Sequence, residues 1–210
     1  MRPLICIILI AGMMACKNNQ KDKDSVSIAK EVNKDKADTG SNIPMNKDTV
    51  AATMAVERAD ANFAVEAANG NMIEVQLGGL AKTKAVNKRV KKFAAMMITD
   101  HMKINEDLQK IASAKNITLP QALSDEGKKD IDNLNKRKGT DFDRAYMHMM
   151  LADHRKDVSE FEKAARDCKD PELKSFIEQA LPVMRKHLDS AEAIDKLYVE
   201  KSPTPEPIYP

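Results

Sequence analysis

The chain has 210 residues, with 34 Lys and Arg against 32 Asp and Glu and a formal net charge of +2. The charges are mixed along the sequence, aromatic residues make up 4% and Trp is absent, which excludes a dedicated nucleic-acid binder because neither a basic patch nor a stacking platform is present. Gly is scarce while Ala, Lys, Met, Glu and Leu are common, a helix-forming composition, and no stretch sustains the alternation of a half-buried strand.

Residues 1–16 carry one positive charge at Arg2, then an uncharged apolar run over 4–15, and end at Ala15-Cys16 before an abruptly polar stretch. That is the plan of a secretory signal, and the run is shorter than the roughly 20 apolar residues a membrane-spanning helix needs. Met13-Met14-Ala15-Cys16 resembles a bacterial lipobox, with Met13 where Leu is usual. The resemblance implies a mature chain that starts at a diacylated Cys16, held at a membrane surface by its acyl chains. The expected location is therefore the bacterial cell envelope, at the outer membrane or the periplasmic face, with the membrane as partner. With Cys6 in the signal and Cys16 lipidated, Cys168 stands alone. No intramolecular disulfide is available, and Cys168 is expected as a small buried hydrophobe near a helix end.

Residues 17–48 are rich in Lys, Asp, Asn, Ser and Thr with scattered aliphatics. They bury too little apolar area to offset the entropy of ordering and are expected to form a flexible tether. A domain follows over 49–200, and a Pro-rich tail over 201–210 that should be extended. The first long helix is expected over 49–84, running on through Asn69-Gly70-Asn71, with Ala67, Gly70, Gly78 and Ala81 forming a line of small residues where a neighbour could approach closely. Apolar stripes at i, i+3, i+4 and i+7 predict a second helix over 87–115 (Val90, Phe93, Ala94, Met97, Ile104, Leu108), a third over 141–168 (Phe142, Tyr146, Met147, Met150, Val158, Phe161) and a fourth over 171–199 (Leu173, Ile177, Ala180, Met184, Ala191, Ile194). Asn87 and Asp141 are the expected N-caps of the second and third, and Asp170-Pro171 places Pro at the first turn of the fourth. A short helix over 121–136 is expected between the second and third. The predicted class is all-α, a bundle of four long helices with a short connecting helix.

Met96-Met97-Ile98-Thr99-Asp100-His101-Met102-Lys103 and Met149-Met150-Leu151-Ala152-Asp153-His154-Arg155-Lys156 form a weak internal repeat, as if the bundle were two related hairpins. The same residues, together with Phe63 to Gly70, Glu74 to Gly78, Val90 to Ala94, Phe142 to Tyr146, Phe161-Glu162 and Leu181-Pro182 through His187-Leu188, carry a further likeness. Over about 49–198 the chain resembles the bacterial family called domain of unknown function 4142. The resemblance implies a ferritin-like helical bundle in envelope proteins, many of them lipoproteins, and no established activity.

Helical geometry at 100° per residue puts His101, His154 and His187 within the apolar stripes of three different helices, and Glu74 on the small-residue line of the first. His148 falls off its stripe and should face solvent. At ~1.5 Å rise per residue the four inward groups fall within roughly 10 Å of one level, which is what a metal site in a bundle core requires. Glu74, His101, His154 and His187 are therefore the candidate residues for holding one transition metal ion, zinc, iron or copper, or a small polar ligand, in the bundle core. Asp100 and Asp153 are the candidate acceptors that orient the rings. Met97, Met150 and Met184 share faces with the three histidines and define a copper variant of the same site. The chain lacks the two Glu-x-x-His pairs of di-iron carboxylate proteins, so ferroxidase chemistry is not expected.

The competing reading has these histidines as hydrogen-bonded core groups, paired with Glu74, the aspartates or the Glu178 carbonyl that Pro182 deprives of its donor. The protein is then a structural or stress-related interaction module with no ligand. No nucleophile–base pair or phosphate loop is recognisable, so an enzyme is the weakest of the three readings and no catalytic residue is assigned.

Overall fold

The computed structural model describes residues 24–40 and 56–199. The expected signal and lipid anchor at 1–16, the first part of the expected tether at 17–23, residues 41–55 and the Pro-rich tail lie outside the described residues. Six helices account for nearly all of what is described: α1 (Ser25–Gly40), α2 (Arg58–Lys84), α3 (Lys88–Ala114), α4 (Asp125–Asn135), α5 (Gly139–Asp167) and α6 (Pro171–Val199). There is no strand among the described residues, and no described helix is long and apolar enough to cross a membrane.

The helix ends follow local chemistry. Asn87 caps α3, its side chain accepting from the Arg89 N–H at 2.8 Å. Asp170 caps α6 through the N–H groups of Glu172 and Leu173, both at 3.0 Å, with Pro171 in the first turn. Asp141 does not cap α5. Gly139, at φ 56°, takes a left-handed conformation that favours glycine. The Phe142 N–H already reaches the Lys138 carbonyl at 3.2 Å, so the helix starts two residues earlier than expected. Asp141 instead lies in the first turn between Arg137 and Arg144. The short helix over 121–136 is trimmed to Asp125–Asn135, because Ser124 caps it from Oγ to the Gly127 N–H.

The four long helices pack in a ring, α2 on α3, α3 on α6, α6 on α5 and α5 on α2. Their core is two apolar clusters, one at each end. The first gathers Leu77, Phe93, Met97, Phe142, Tyr146, Met150 and Ala191, and the second gathers Ala64, Ala68, Leu108, Phe161, Leu173, Ile177 and Met184. Chain order through these clusters makes every neighbouring pair in the ring antiparallel. The links 85–87 and 168–170 close two tight hairpins. The link from α3 to α5 must return along the whole length of the domain, and α4 lies in it, packed on α2 and α5.

Two buried aspartates tie the hairpins together. Asp60, in the first turn of α2, accepts from the N–H groups of Lys169 and Asp170 in the α5–α6 turn at 2.9 and 2.8 Å. Asp143, near the start of α5, accepts from Val86 and Asn87 in the α2–α3 turn at 3.0 and 2.8 Å. Each hairpin thus supplies the carboxylate that satisfies the other's turn, a charge-assisted pairing stronger than a neutral one. Cys168 is a buried free cysteine at the end of α5, its thiol pushed up to about 11 chiefly by burial.

The segment expected as a tether contains α1. Val26 and Ala29 bury against Val65 of α2. One turn further on, the buried Asn33 side chain grips the Thr118 backbone in both directions, Nδ2 donating to its carbonyl at 2.9 Å and Oδ1 accepting from its N–H at 2.7 Å. Ser25 Oγ accepts from Gln121 and Ala122, and Lys36 reaches Asn116 and Thr118. Composition underrates such a helix because polar side chains, not apolar area, hold most of it.

α2 runs unbroken through Asn69-Gly70-Asn71, and its line of small residues divides. A Cβ on Gly78 would stand 2.9 Å from Ile98 Cγ1 and 3.2 Å from the Ala94 carbonyl oxygen, so this glycine lets α3 approach. A Cβ on Gly70 would meet nothing within 4 Å, so no close approach occurs there. Gly78→Ala is therefore expected to destabilise by about 1–3 kcal/mol through overpacking. Gly70→Ala should stabilise by about 0.5–1 kcal/mol through helix propensity. Urea unfolding of the two variants beside the parent checks both signs, and like-signed shifts would contradict this packing.

Candidate metal centre

Between the two apolar clusters lies one polar layer. α2 contributes Asn71 and Glu74, α3 His101, α5 His154 and α6 His187, and all five side chains are buried. Each sits where the apolar stripe of its helix passes from one cluster to the other, so folding the stripes inward necessarily brings them to one level. The ring centroids of the histidines are 5.1 Å (His101–His187), 5.3 Å (His154–His187) and 5.7 Å (His101–His154) apart.

The hydrogen bonds fix the tautomers. His154 Nδ1 donates to the Met150 carbonyl at 3.0 Å. His187 Nε2 donates to Asp100 Oδ2 at 2.8 Å. With the Glu74 carboxylate ionised, His101 Nδ1 faces two acceptors, Asn71 Oδ1 at 2.8 Å and Glu74 Oε2 at 2.9 Å, and carries the proton. Every neutral imidazole has one N–H and one lone pair, so the bare nitrogens are His154 Nε2, His187 Nδ1 and His101 Nε2. The first two face each other at 3.4 Å with no proton to share. The third is buried and without a partner. One nitrogen of each ring lies within 4.8 Å of the others.

Burial lowers the pKa of all three imidazoles, His101 to about 4. For His154 the Glu74 charge opposes that shift, and for His187 the Asp100 hydrogen bond does. They are neutral at pH 7, the form that binds metals. Burial raises Glu74 to about 7, with the His154 charge lowering it and Asp153 raising it. The buried Tyr146 hydroxyl lacks a hydrogen-bond partner, and its pKa is raised by burial and then by Glu74.

The candidate ligands Glu74, His101, His154 and His187 are brought together, and Asp100 stands against His187. Glu74 uses one carboxylate oxygen to hold His101, while Oε1 makes no hydrogen bond. Asp153 does not orient a ring. His154 turns its N–H to its own helix's Met150 carbonyl, which leaves Asp153 in a groove with Asp130 and Asp195, its carboxyl raised to about 6 by burial and by Asp130. Met97, Met150 and Met184 are buried in the apolar clusters on either side of the layer, and His148 is exposed. Two residues go unforeseen by sequence reasoning. Asn71 precedes Glu74 by three and Asp157 follows His154 by three, and one atom each of Glu74, His154 and Asp157 lies within 4.8 Å of the others. The i, i+3 spacing to residues already singled out is the signal that could have found both.

Metal-free Glu74 makes a pH-dependent contribution of definite sign. Below 4.5 its carboxyl is neutral in both the folded and unfolded states. As pH rises towards about 7 the unfolded chain releases a proton that the folded chain retains, so this stability is lost with rising pH. Gln cannot titrate. Chelator-treated Glu74→Gln should therefore gain on the parent between pH 5 and pH 8 in urea midpoint. A gap that stays constant or moves the other way would show that the buried carboxylate carries no such burden.

The family model described as Domain of unknown function (DUF4142) matches residues 45–194, which include all four long helices but for the last turn of α6. No curated protein and no solved structure matches the chain. With both repeat halves, the four inward groups and the connecting helix inside the matched span, the chain belongs to the DUF4142 family, the domain of unknown function that the sequence resembles.

Proposed function

We propose that this protein is a lipid-anchored envelope protein that holds one transition metal ion in the middle of a ferritin-like four-helix bundle. The observation that carries the reading is the direction of the three imidazoles. Each gives one nitrogen to an oxygen (the Met150 carbonyl, Asp100, or Asn71 with Glu74) and keeps the other nitrogen free of any proton donor. Metal-ligating histidines are set in this way, the outer hydrogen bond fixing the ring and raising its basicity. The spacing agrees. A tetrahedral ion with bonds of about 2.1 Å separates its nitrogen ligands by about 3.4 Å, and His154 Nε2 and His187 Nδ1 are 3.4 Å apart.

A core kept together by hydrogen bonds alone should leave few buried polar atoms unpaired, yet His101 Nε2 and Glu74 Oε1 both lack partners. This weighs against a purely structural polar layer. Three neutral imidazoles suit zinc, copper or iron. Glu74 and Asp100 supply compensating negative charge beside the rings. The antiparallel ring with a single long crossover carrying α4 supports the ferritin-like arrangement. The signal-like start and Cys16 support attachment to the envelope membrane, with the domain outside the bilayer.

The test is elemental analysis of residues 17–210, purified without a His tag from metal-supplemented cells, beside the His101→Ala/His154→Ala variant. Near-stoichiometric zinc, iron or copper is expected in the parent and none in a variant that keeps its helical circular dichroism. At ~1,000 times Kd the ion should stabilise the parent by about 4 kcal/mol. An empty parent, with a variant that merely melts earlier, would overturn the metal reading in favour of a structural module.

A further inference from the structure

The His154 ring separates two environments. Its Nε2 lies 3.4 Å from His187 Nδ1, and its Nδ1 lies 3.4 Å from Glu74 Oε1. Glu74 Oε1 is buried and makes no hydrogen bond. Its 3.4 Å approach to His154 Nδ1 is not one, because that nitrogen's proton lies on the Met150 carbonyl. Asp157, one turn along α5, stands with Glu74 and His154, one atom of each within 4.8 Å of the others. Among the described residues no Lys or Arg is paired with either carboxylate. Lys156, next to Asp157 in sequence, pairs with Glu160 at 3.8 Å.

Two carboxylates side by side in a mostly buried seam repel each other and lose hydration. A basic side chain paired with them would be the usual remedy, and among the described residues neither carboxylate has one. Glu74 Oε1, unpartnered and aimed at this seam, marks the place where a positive charge is missing. The His154 imidazole cannot supply it, since its Nδ1 proton lies on the Met150 carbonyl and its bare Nε2 faces His187.

We propose that Glu74 and Asp157 hold a second cation, an oxygen-seeking divalent ion bound on the Nδ1 side of His154 and separate from the ion on the three imidazole lone pairs. Two carboxylates balance its double charge, water completes its coordination, and any proton on either carboxyl is released to solvent as the ion binds. His154 keeps its Nδ1 proton on the Met150 carbonyl and remains a ligand of the first ion. Glu74 belongs to both neighbourhoods, Oε2 holding His101 and Oε1 holding the second ion. The inference rests on the metal-centre reading above, because the first ion fixes the rings against which Glu74 is placed.

The test uses residues 17–210, stripped with chelator and loaded with one equivalent of zinc. Manganese(II) is then titrated in, and free manganese is followed by electron paramagnetic resonance, for the parent and for Asp157→Asn. The expected result is one zinc and one manganese in the parent. Asp157→Asn should keep its zinc while its manganese affinity falls at least tenfold. Equal manganese binding by both proteins, or none by the zinc-loaded parent, would overturn the second site and leave the first standing. Loss of zinc as well in a helical Asp157→Asn would also overturn it, since Asp157 would then belong to a single centre. A parent that takes up no zinc would overturn both readings. The parent's manganese stoichiometry decides the question even if Asp157→Asn does not fold.

Discussion

Asp60 and Asp143 each sit near the start of a long helix and close around the backbone of the opposite hairpin's turn. Two buried carboxylates would be a liability if they faced apolar side chains. Facing pairs of N–H groups that the turns leave without helical partners, they satisfy donors and acceptor together. The arrangement also sets longitudinal register. A hairpin that slid along its neighbour by one helical turn would strand a carboxylate at one end and two N–H groups at the other, so the two hairpins are pinned from both ends at one relative height.

That register is what turns five separate polar residues into one layer. Histidine in the middle of an apolar stripe is a defect when its helix is considered alone. It becomes a shared feature when the other helices bring their own polar residues to the same depth. The apolar clusters above and below bury the layer, and burial is what favours the neutral imidazole and the neutral Glu74 carboxyl. Packing, register and protonation are in this sense one property, viewed at three scales.

Much of this was legible in the sequence. The 3.6-residue period in the apolar residues placed four long helices, and counting residues from their ends placed the histidines at a common height. Caps at Asn87 and Asp170 could be read because they act on their nearest neighbours. What remained hidden acts across the fold. α1 is held by Asn33, Ser25 and Lys36 on a loop some 80 residues or more away in sequence, and nothing local announces such bonds. The internal repeat misled in one place. It suggested equal roles for Asp100 and Asp153, but Asp100 meets a histidine across a helix seam while His154 satisfies itself on its own helix. Asp157 was overlooked because a lone aspartate on a helix face is ordinarily solvated, and only its neighbour on α2 makes it unusual.

The three histidine rings are fully enclosed, and this has a consequence in time as well as in structure. An ion seated among them has no open channel to solvent, so it can leave only when helices part, an event on the scale of local unfolding rather than of diffusion. Such a centre would retain its ion through brief swings in the surroundings and answer only to lasting ones. It would behave more as a memory of the conditions under which the chain folded than as a gauge of the present moment.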